Sequence, residues 1–216
     1  MVEPVTGLRA DTVRGNLERV REEIASTGRD PREVQILAAV KYVPVAELRV
    51  LADAGIDLVG ENRAQDLVAK AEAYPGAFTW DFIGHLQSRK VRQVLPHVRY
   101  IETVATDSVL TQLERHASPE TEVLVEVNVA REEGKSGLDP DELPAFLERC
   151  PVTVVGLMTM PPLAHDAEDS RRHFAALREL AEGHGLRELS MGTSQDYVVA
   201  VQEGATIVRL GTSLYG

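Results

Sequence analysis

Residues 51–62, LADAGIDLVGEN, run from a helical pattern through a glycine into a short apolar strand. Gly55 stands where the helix must stop, because glycine readily adopts the left-handed backbone that commonly ends a helix. Residues 200–212, AVQEGATIVRLGT, repeat this order with Gly204 in the same place. Two copies of helix, glycine and apolar strand indicate a regular array of parallel strands covered by helices.

Eight such strands are predicted along the chain, most of them apolar on both faces, as parallel strands between helices should be. The predicted strands cover residues 35–42, 57–61, 79–84, 99–104, 122–129, 152–160, 188–192 and 206–211. This pattern predicts an α/β fold, the (β/α)8 TIM barrel. An open doubly wound sheet is the alternative, but it usually has a glycine-rich turn after its first strand. That turn here, KYVPVAE, contains no glycine.

An extra helix is predicted before the first strand, at residues 11–27, where Val13, Leu17, Val20 and Ile24 recur at helical spacing. The sequence stops at SLYG directly after the eighth strand, so no helix is expected to follow it. The N-terminal helix is therefore expected to cover that side of the barrel. A single domain over residues 1–216, with no second domain, is expected for this length.

Composition narrows the class of protein. The net charge of −11 comes from 34 acidic and 23 dispersed basic residues, which argues against a nucleic-acid partner. No apolar run approaches the roughly 20 residues that span a bilayer, and no leader pattern opens the sequence. Cys150 is the only cysteine, and the six histidines have no spacing typical of a metal site. We expect a cytoplasmic protein without a membrane partner, a metal or an internal disulfide.

The carboxyl ends of barrel strands form the face that carries chemistry. Lys41 directly follows the apolar residues 36–40 at the end of the first strand. A lysine amine can act as a nucleophile and condense with a carbonyl compound to form a Schiff base. For an isolated lysine at a strand end, contact with water or a structural ion pair would be the better explanation. The other strand ends therefore decide between these interpretations.

The last two strand ends have features of a phosphate site. Residues 189–196, LSMGTSQD, pass from strand into helix through a glycine, with Thr193 or Ser194 as the expected helix cap. Residues 208–213, VRLGTS, add a second glycine and the hydroxyl of Thr212. Tight turns with capped helices would explain both segments without a ligand. A phosphate site on the same rim as Lys41 favours pyridoxal 5′-phosphate (PLP) or a phosphorylated sugar.

Arg209 is expected inside the barrel, because side chains alternate along a strand and Leu210 then faces the helices. A buried guanidinium needs a partner. Glu126 lies on the inward face of the fifth strand and is the expected counter-charge. A structural ion pair and a ligand contact explain Arg209 about equally well.

Taken together, these segments resemble one known family, the pyridoxal phosphate homeostasis proteins (YggS/PROSC-like). The similar segments follow in order along nearly the whole chain: AAVKYVP (38–44), GENRAQDL (60–67), WDFIGHLQSRK (80–90), VNVAREEGKSGL (127–138), GLMTMPP (156–162) and residues 189–216. The resemblance implies an alanine-racemase-like barrel of fold type III. It also implies a short basic tail that relatives carry beyond the position of Gly216.

The resemblance further implies which residues hold the cofactor. Lys41 matches the lysine that carries PLP as a Schiff base, and Ser190, Gly211 and Thr212 match the phosphate contacts. Arg209 matches the arginine that faces the pyridine nitrogen. Asn62, in the segment GEN, matches a position near the cofactor.

The family is described chiefly as binding and buffering PLP, without an established catalytic turnover. The resemblance therefore implies intracellular PLP homeostasis, with PLP-dependent apo-enzymes as possible recipients and a monomer or weak homodimer as the working form. A PLP-dependent racemase or lyase that uses the same aldimine is the alternative. A Schiff-base aldolase for sugar phosphates is a third hypothesis, but its lysine would typically lie on a later strand.

Overall fold

The computed structural model describes residues 3–163 and 165–216. Eight parallel strands follow one another around a closed barrel, in which the last strand pairs with the first. This confirms the predicted (β/α)8 fold. The strands are β1 Gln35–Ala39, β2 Leu58–Glu61, β3 Thr79–Phe82, β4 Tyr100–Val104, β5 Glu122–Glu126, β6 Thr153–Met158, β7 Glu188–Thr193 and β8 Ile207–Leu210.

Helices connect the strands and cover the outside of the barrel. The α-helices are α1 Ala10–Ser26, α2 Leu48–Asp53, α3 Ala64–Ala73, α4 Val91–Val94, α5 Asp107–His116, α6 Leu143–Arg149, α7 Arg171–Gly183, α8 Tyr197–Gln202 and α9 Thr212–Tyr215. Gly55 and Gly204 follow α2 and α8 with φ angles of 87° and 98°. Both glycines therefore end their helices in the left-handed conformation that the repeated sequence pattern indicates.

The main hydrophobic core lies between the outer face of the strands and the helices, where Val59 and Val208 belong to the same cluster as Leu17 of α1. The inside of the barrel differs in character. Leu37, Leu58 and Ile207 form a small apolar cluster there. The remaining interior carries buried charged side chains, namely Asp81, Glu102, Glu126 and Arg209. The interior is thus the part of the fold in which polar chemistry is concentrated.

Helix α1 packs against α2, α8 and α9, which is the place predicted for the N-terminal helix. The buried Asn16 side chain donates hydrogen bonds to the carbonyl oxygens of Leu214 (3.0 Å) and Gly216 (2.9 Å). The prediction that no helix follows the eighth strand is wrong, because α9 forms one turn there. Asn16 binds carbonyl groups that a helix of this length leaves without an internal partner.

Several strands are shorter than the sequence predicts. Strand β1 ends at Ala39 because the amide of Val43 donates to the carbonyl of Val40 (2.9 Å) and closes a turn. Strand β5 ends at Glu126, after which the amide of Asn128 donates to the carbonyl of Leu138 in a loop (2.9 Å). Apolar residues continue past both strand ends, so the hydrophobic pattern alone overestimates their length.

Within the described part of the chain, none of the helices has the length and apolar character that crossing a membrane requires.

Candidate functional site

Lys41 lies in the turn directly after β1, with an exposed side chain. Its Nζ atom lies 5.0 Å from the centroid of the Tyr42 ring, in a groove of about 530 Å³ that Pro44 and Arg63 also line. Lys41 has no hydrogen-bond or ion-pair partner among residues 3–163 and 165–216. Its amine is therefore accessible and is not committed to a carboxylate.

The backbone next to Lys41 is fixed by a second, buried lysine. Lys70 of α3 donates to the carbonyl of Val40 (2.7 Å) and to Oε2 of Glu61 (2.5 Å). Oε1 of Glu61 accepts hydrogen bonds from the amides of Asn62 (2.7 Å) and Arg63 (3.2 Å). This buried ion pair joins the end of β1 to the end of β2.

Sequence reasoning missed Lys70, although the sequence carries a signal for it. Ala64, Leu67 and Lys70 recur at intervals of three residues and form the buried face of α3. A lysine in such a stripe must have a partner, because an unpaired buried charge is costly. The acidic residue nearest to the start of α3 on the preceding strand is Glu61.

Asn62 directly follows β2, and its Oδ1 atom is buried without a hydrogen-bond partner among the described residues. Gly84, which follows β3, packs against its backbone. A Cβ atom on Gly84 would lie 2.1 Å from the carbonyl oxygen of Asn62 and 2.5 Å from its Cα. The position of Asn62 therefore depends on the absence of a side chain at residue 84.

We expect Gly84→Ala to displace Asn62 and to destabilise the protein, because the contacting atoms are backbone and cannot rotate away. Strain of this kind typically costs about 1–3 kcal/mol. Gly15→Ala is the matched control, since Gly15 lies within α1 with open space around it, and the same change should be neutral or stabilising there. Thermal unfolding followed by circular dichroism checks both variants. Equal melting temperatures for the two would contradict the packing argument.

Backbone amides converge at the ends of β7 and β8. The amides of Gly211 and Ser213 both point to Oγ of Ser194, at 3.1 and 3.2 Å. The side chain of Thr212, between them, is exposed. Gly192 at the end of β7 has a φ of 92°, and a Cβ there would lie 2.6 Å from Cβ of Ala200. The chain thus directs two N–H groups at one oxygen position, which is a geometry that anions use.

Helix α8 begins later than the sequence predicts, so the expected helix cap at Thr193 or Ser194 is wrong. Oδ1 of Asp196 accepts hydrogen bonds from the amide (2.7 Å) and the hydroxyl (3.0 Å) of Thr193, and α8 begins at Tyr197. Asp196 therefore closes a turn between β7 and the helix. This turn leaves Ser194 facing the segment after β8.

Arg209 lies inside the barrel and is buried. Its guanidinium donates to Oγ of Ser190 (2.6 Å) and to the carbonyl of Thr159 (2.8 Å). Burial lowers the pKa of Arg209, whereas the nearby negative charges of Glu102 and Glu126 oppose that change. The predicted inward orientation of Arg209 is confirmed, and its closest polar contact is another residue of the candidate site.

Glu126 is buried in the interior and its charge acts on Arg209, as expected, but it is not the carboxylate closest to the guanidinium. Glu126 accepts a hydrogen bond from Ser136 (2.6 Å), whereas the carboxylate near Arg209 is Glu102, with Oε2 at 4.0 Å from Nη1. Oε2 of Glu102 also accepts a hydrogen bond from Oγ of Ser190 (2.6 Å). Glu102 is the acidic residue of β4, so the sequence does offer a candidate interior carboxylate on this strand. Sequence alone does not show which interior carboxylate lies opposite which strand.

The candidate residues belong to four strands that are neighbours in the closed barrel. Ser190 lies on β7, Arg209 on β8, Lys41 follows β1 and Asn62 follows β2. The hydroxyl of Tyr215, at the end of α9, donates to the carbonyl of Ala39 in β1 (3.3 Å) and joins the segment after β8 to the strand before Lys41. Gly211 and Thr212 lie in that segment.

Known proteins resemble this chain over most of its length. The family model for the alanine racemase N-terminal domain matches residues 8–216. The pyridoxal phosphate homeostasis protein of Aquifex aeolicus is 38% identical over 214 residues, which are 93% of this chain and 94% of that protein. The protein of the same name from Pseudomonas aeruginosa is 38% identical over 208 residues, or 92% and 90% of the two chains. This chain belongs to the pyridoxal phosphate homeostasis protein family.

One similar solved structure contains PLP. PipY of Synechococcus elongatus, determined with PLP bound, is 32% identical and has a TM-score of 0.79. The comparison covers 94% of this chain and all of PipY. The family resemblance drawn from the sequence segments is therefore confirmed.

Proposed function

We propose that this protein binds PLP on Lys41 and holds it in the cytoplasm for buffering and for delivery to PLP-dependent apo-enzymes. Its homeostasis-family relatives and the PLP-bound PipY structure support the choice of ligand. A monomer or weak homodimer is the proposed working form. The observation that carries the proposal is the pair of amides, from Gly211 and Ser213, directed at one oxygen position.

The phosphate group fits the segment after β8. Amide N–H groups bind phosphate without a counter-charge. Two amides of this segment donate to Oγ of Ser194, and a phosphate oxygen would take the place of that hydroxyl. The hydroxyl of Ser194 accepts both bonds, and the exposed Thr212 lies between Gly211 and Ser213; each hydroxyl can donate a hydrogen bond to an anion. Glycine at 211 also lets a ligand approach the backbone closely. We assign Gly211 and Thr212 to the phosphate group, and add Ser194, which the sequence indicated only as a helix cap, and Ser213.

For the Ser190 side chain we propose a role other than the predicted contact with phosphate. Its hydroxyl is buried, donates to Glu102 and accepts from Arg209. That hydroxyl is therefore committed to the barrel interior. We propose that the Ser190 side chain mainly holds Arg209 and that other residues of the site contact the phosphate.

The other groups suit the rest of the ligand. When bound, PLP supplies an aldehyde that a lysine amine captures reversibly. Lys41 offers an amine without a competing carboxylate, and Asn62 offers a buried acceptor atom without a partner. Arg209 is a cation throughout the physiological pH range, and a cation beside the pyridine nitrogen disfavours a second positive charge there. That choice of neighbour weakens the ring as an electron sink, which favours holding the cofactor over catalysis.

The test uses the wild-type protein and added PLP. We expect a yellow complex that survives gel filtration, that borohydride fixes permanently, and that loses PLP to a PLP-dependent apo-enzyme added in excess. Peptide mass mapping should place the fixed label on Lys41. The chain has only four lysines, at positions 41, 70, 90 and 135, so the assignment is clear-cut. A protein that retains no chromophore after gel filtration would overturn the proposal.

Exchange of the α-hydrogen of amino acids in D₂O distinguishes holding from turnover. We expect exchange no faster than with free PLP at the same concentration. Saturable exchange well above that level, followed by NMR, would replace the proposed homeostasis role by a racemase-like activity.

A further inference from the structure

Beneath the segment after β8, the barrel interior holds a group of buried ionisable side chains that ligand binding does not by itself explain. Glu102 of β4 is fully buried at its centre. One carboxyl oxygen, Oε2, accepts from Ser190 and lies 4.0 Å from the guanidinium of Arg209. The other, Oε1, is buried and has no hydrogen-bond partner within residues 3–163 and 165–216.

An ionised carboxylate with an unpaired oxygen is costly inside a protein. A protonated carboxyl group avoids that cost, since its O–H becomes a donor. Asp81 of β3 is the acceptor on the neighbouring strand. Burial raises the pKa of Asp81, but Arg99 opposes that change, because its Nε and Nη2 atoms donate to the two oxygens of Asp81 at 3.1 and 2.5 Å. A proton on Glu102 therefore has an acceptor in a carboxylate that Arg99 holds in place.

The surroundings of Glu102 shift its pKa in both directions. Burial and the negative charge of Asp81 raise the pKa of Glu102, and Arg209, Ser190 and Arg99 lower it; the outcome is a pKa of about 8. Glu126 of β5 faces the same interior, but it is bonded to Ser136, and burial raises its own pKa.

We propose that Glu102 carries a proton at neutral pH and, through Ser190, positions Arg209 beneath the candidate cofactor site. Hydrogen bonds from Ser190 and to Asp81 then satisfy both oxygens of Glu102. Arg209 keeps its place without a full anionic partner, so its positive charge remains available to the ligand. Glu102 is a positioning residue, because it acts through Ser190 and Arg209. Only the effect on PLP rests on the proposed function, since the proton belongs to the chain itself.

The sign of the pH dependence follows from the direction of the shift. The pKa of Glu102 in the fold lies above the value of about 4.3 for a glutamate in an unfolded chain. The folded protein therefore binds more protons than the unfolded chain between these values. The contribution of Glu102 to stability is complete below the lower value and is lost as the pH rises through about 8. Above that pH, the negative charge of ionised Glu102 also attracts the guanidinium of Arg209.

The test replaces Glu102 by glutamine, whose amide resembles the protonated acid because it has a donor group on one side and an acceptor oxygen on the other. Melting temperatures of the wild-type chain and Glu102→Gln are measured by circular dichroism from pH 5 to 9.5, without added PLP. We expect the variant to gain on the wild type as the pH rises and to reach a plateau of several degrees above about pH 8. Glu114→Gln, on the exposed face of α5, controls for the loss of one negative charge.

A second measurement does not depend on any variant folding. The side-chain carboxyl carbon of Glu102, in wild-type protein labelled with ¹³C-glutamate, should titrate with a midpoint near pH 8. A midpoint near pH 4 to 5, or a melting-temperature difference that stays constant with pH, would overturn the proposal.

A third measurement links the proton to the ligand. We expect PLP affinity of the wild type to fall above pH 8 by more than that of Glu102→Gln, because ionised Glu102 neutralises Arg209. Identical pH profiles of affinity would remove Glu102 from the positioning role. Failure of both proteins to bind PLP would instead contradict the proposed function, and the unfolding and NMR results would still decide on the proton.

Discussion

Alanine at position 41 is expected to reduce the borohydride-stable incorporation of PLP from stoichiometric to background. The chain contains only three other lysines, so few amines can substitute for Lys41. Lys70 is buried and its amine is bonded to Glu61, so it is not free to react with an aldehyde. The phosphate-binding amides would still offer a weak, non-covalent site. We therefore expect the covalent product to disappear while some weak binding of inorganic phosphate remains.

Lys135→Ala is the matched control for this prediction. Lys135 lies in the loop after β5 with a side chain that is half exposed, and its amine lies 3.5 Å from Glu132. Removing it deletes one lysine and leaves the candidate site intact, so wild-type incorporation is expected. Absorbance of the denatured, reduced proteins and mass mapping quantify the label. Unchanged incorporation in Lys41→Ala, with the label on Lys90 or Lys135, would contradict the assignment of Lys41.

The barrel could be predicted from sequence because its signals are local. A strand between helices is apolar on both faces, and a glycine such as Gly55 or Gly204 marks where the preceding helix ends. Each signal lies within about a dozen residues. Eight repetitions of the helix and strand unit are compatible with few folds. In the barrel, β8 pairs with β1 and closes the sheet.

Strand ends could not be predicted with the same accuracy, because backbone hydrogen bonds set them and the apolar pattern does not show these bonds. Apolar residues continue past β1 to Val40 and Val43, yet the bond between these two residues ends the strand before Lys41. The sequence therefore placed Lys41 on the right rim of the barrel but in the wrong local conformation. Its orientation toward the exposed groove depends on contacts that no short segment contains.

Partners inside the barrel were the least predictable part of the site. Alternation along β8 correctly turned Arg209 inward, since that inference needs only one strand. Choosing between Glu102 and Glu126 as its neighbour requires the relative positions of β4, β5 and β8 across the interior. The same limitation concealed Lys70, whose partners Val40 and Glu61 lie 30 and 9 residues away.

Lys70 shows why such hidden partners matter for function. It binds the carbonyl of the residue before Lys41 and the carboxylate that holds the amide of Asn62. One buried side chain thus fixes the backbone of two candidate ligand-binding positions on neighbouring strands. Stability and ligand geometry are consequently coupled at the ends of β1 and β2.

We expect Lys70→Met to be the most destabilising of the substitutions considered. Methionine fills a similar volume but leaves the carboxylate of Glu61 buried without its cationic partner. Breaking a buried pair from one side typically costs about 3–5 kcal/mol. For a chain of this size each kcal/mol lowers the melting temperature by about 2–4 °C. A decrease of roughly 6–20 °C should therefore appear in thermal unfolding.

Two comparisons separate the lost ion pair from the lost lysine. Lys135→Met breaks an exposed pair with Glu132 and should cost less than about 1 kcal/mol. The double variant Lys70→Met with Glu61→Gln removes the stranded charge and should recover part of the loss, since the glutamine oxygen still accepts from the amides of Asn62 and Arg63. A Lys70→Met protein as stable as Lys135→Met would show that the Glu61–Lys70 pair does not hold these strand ends together.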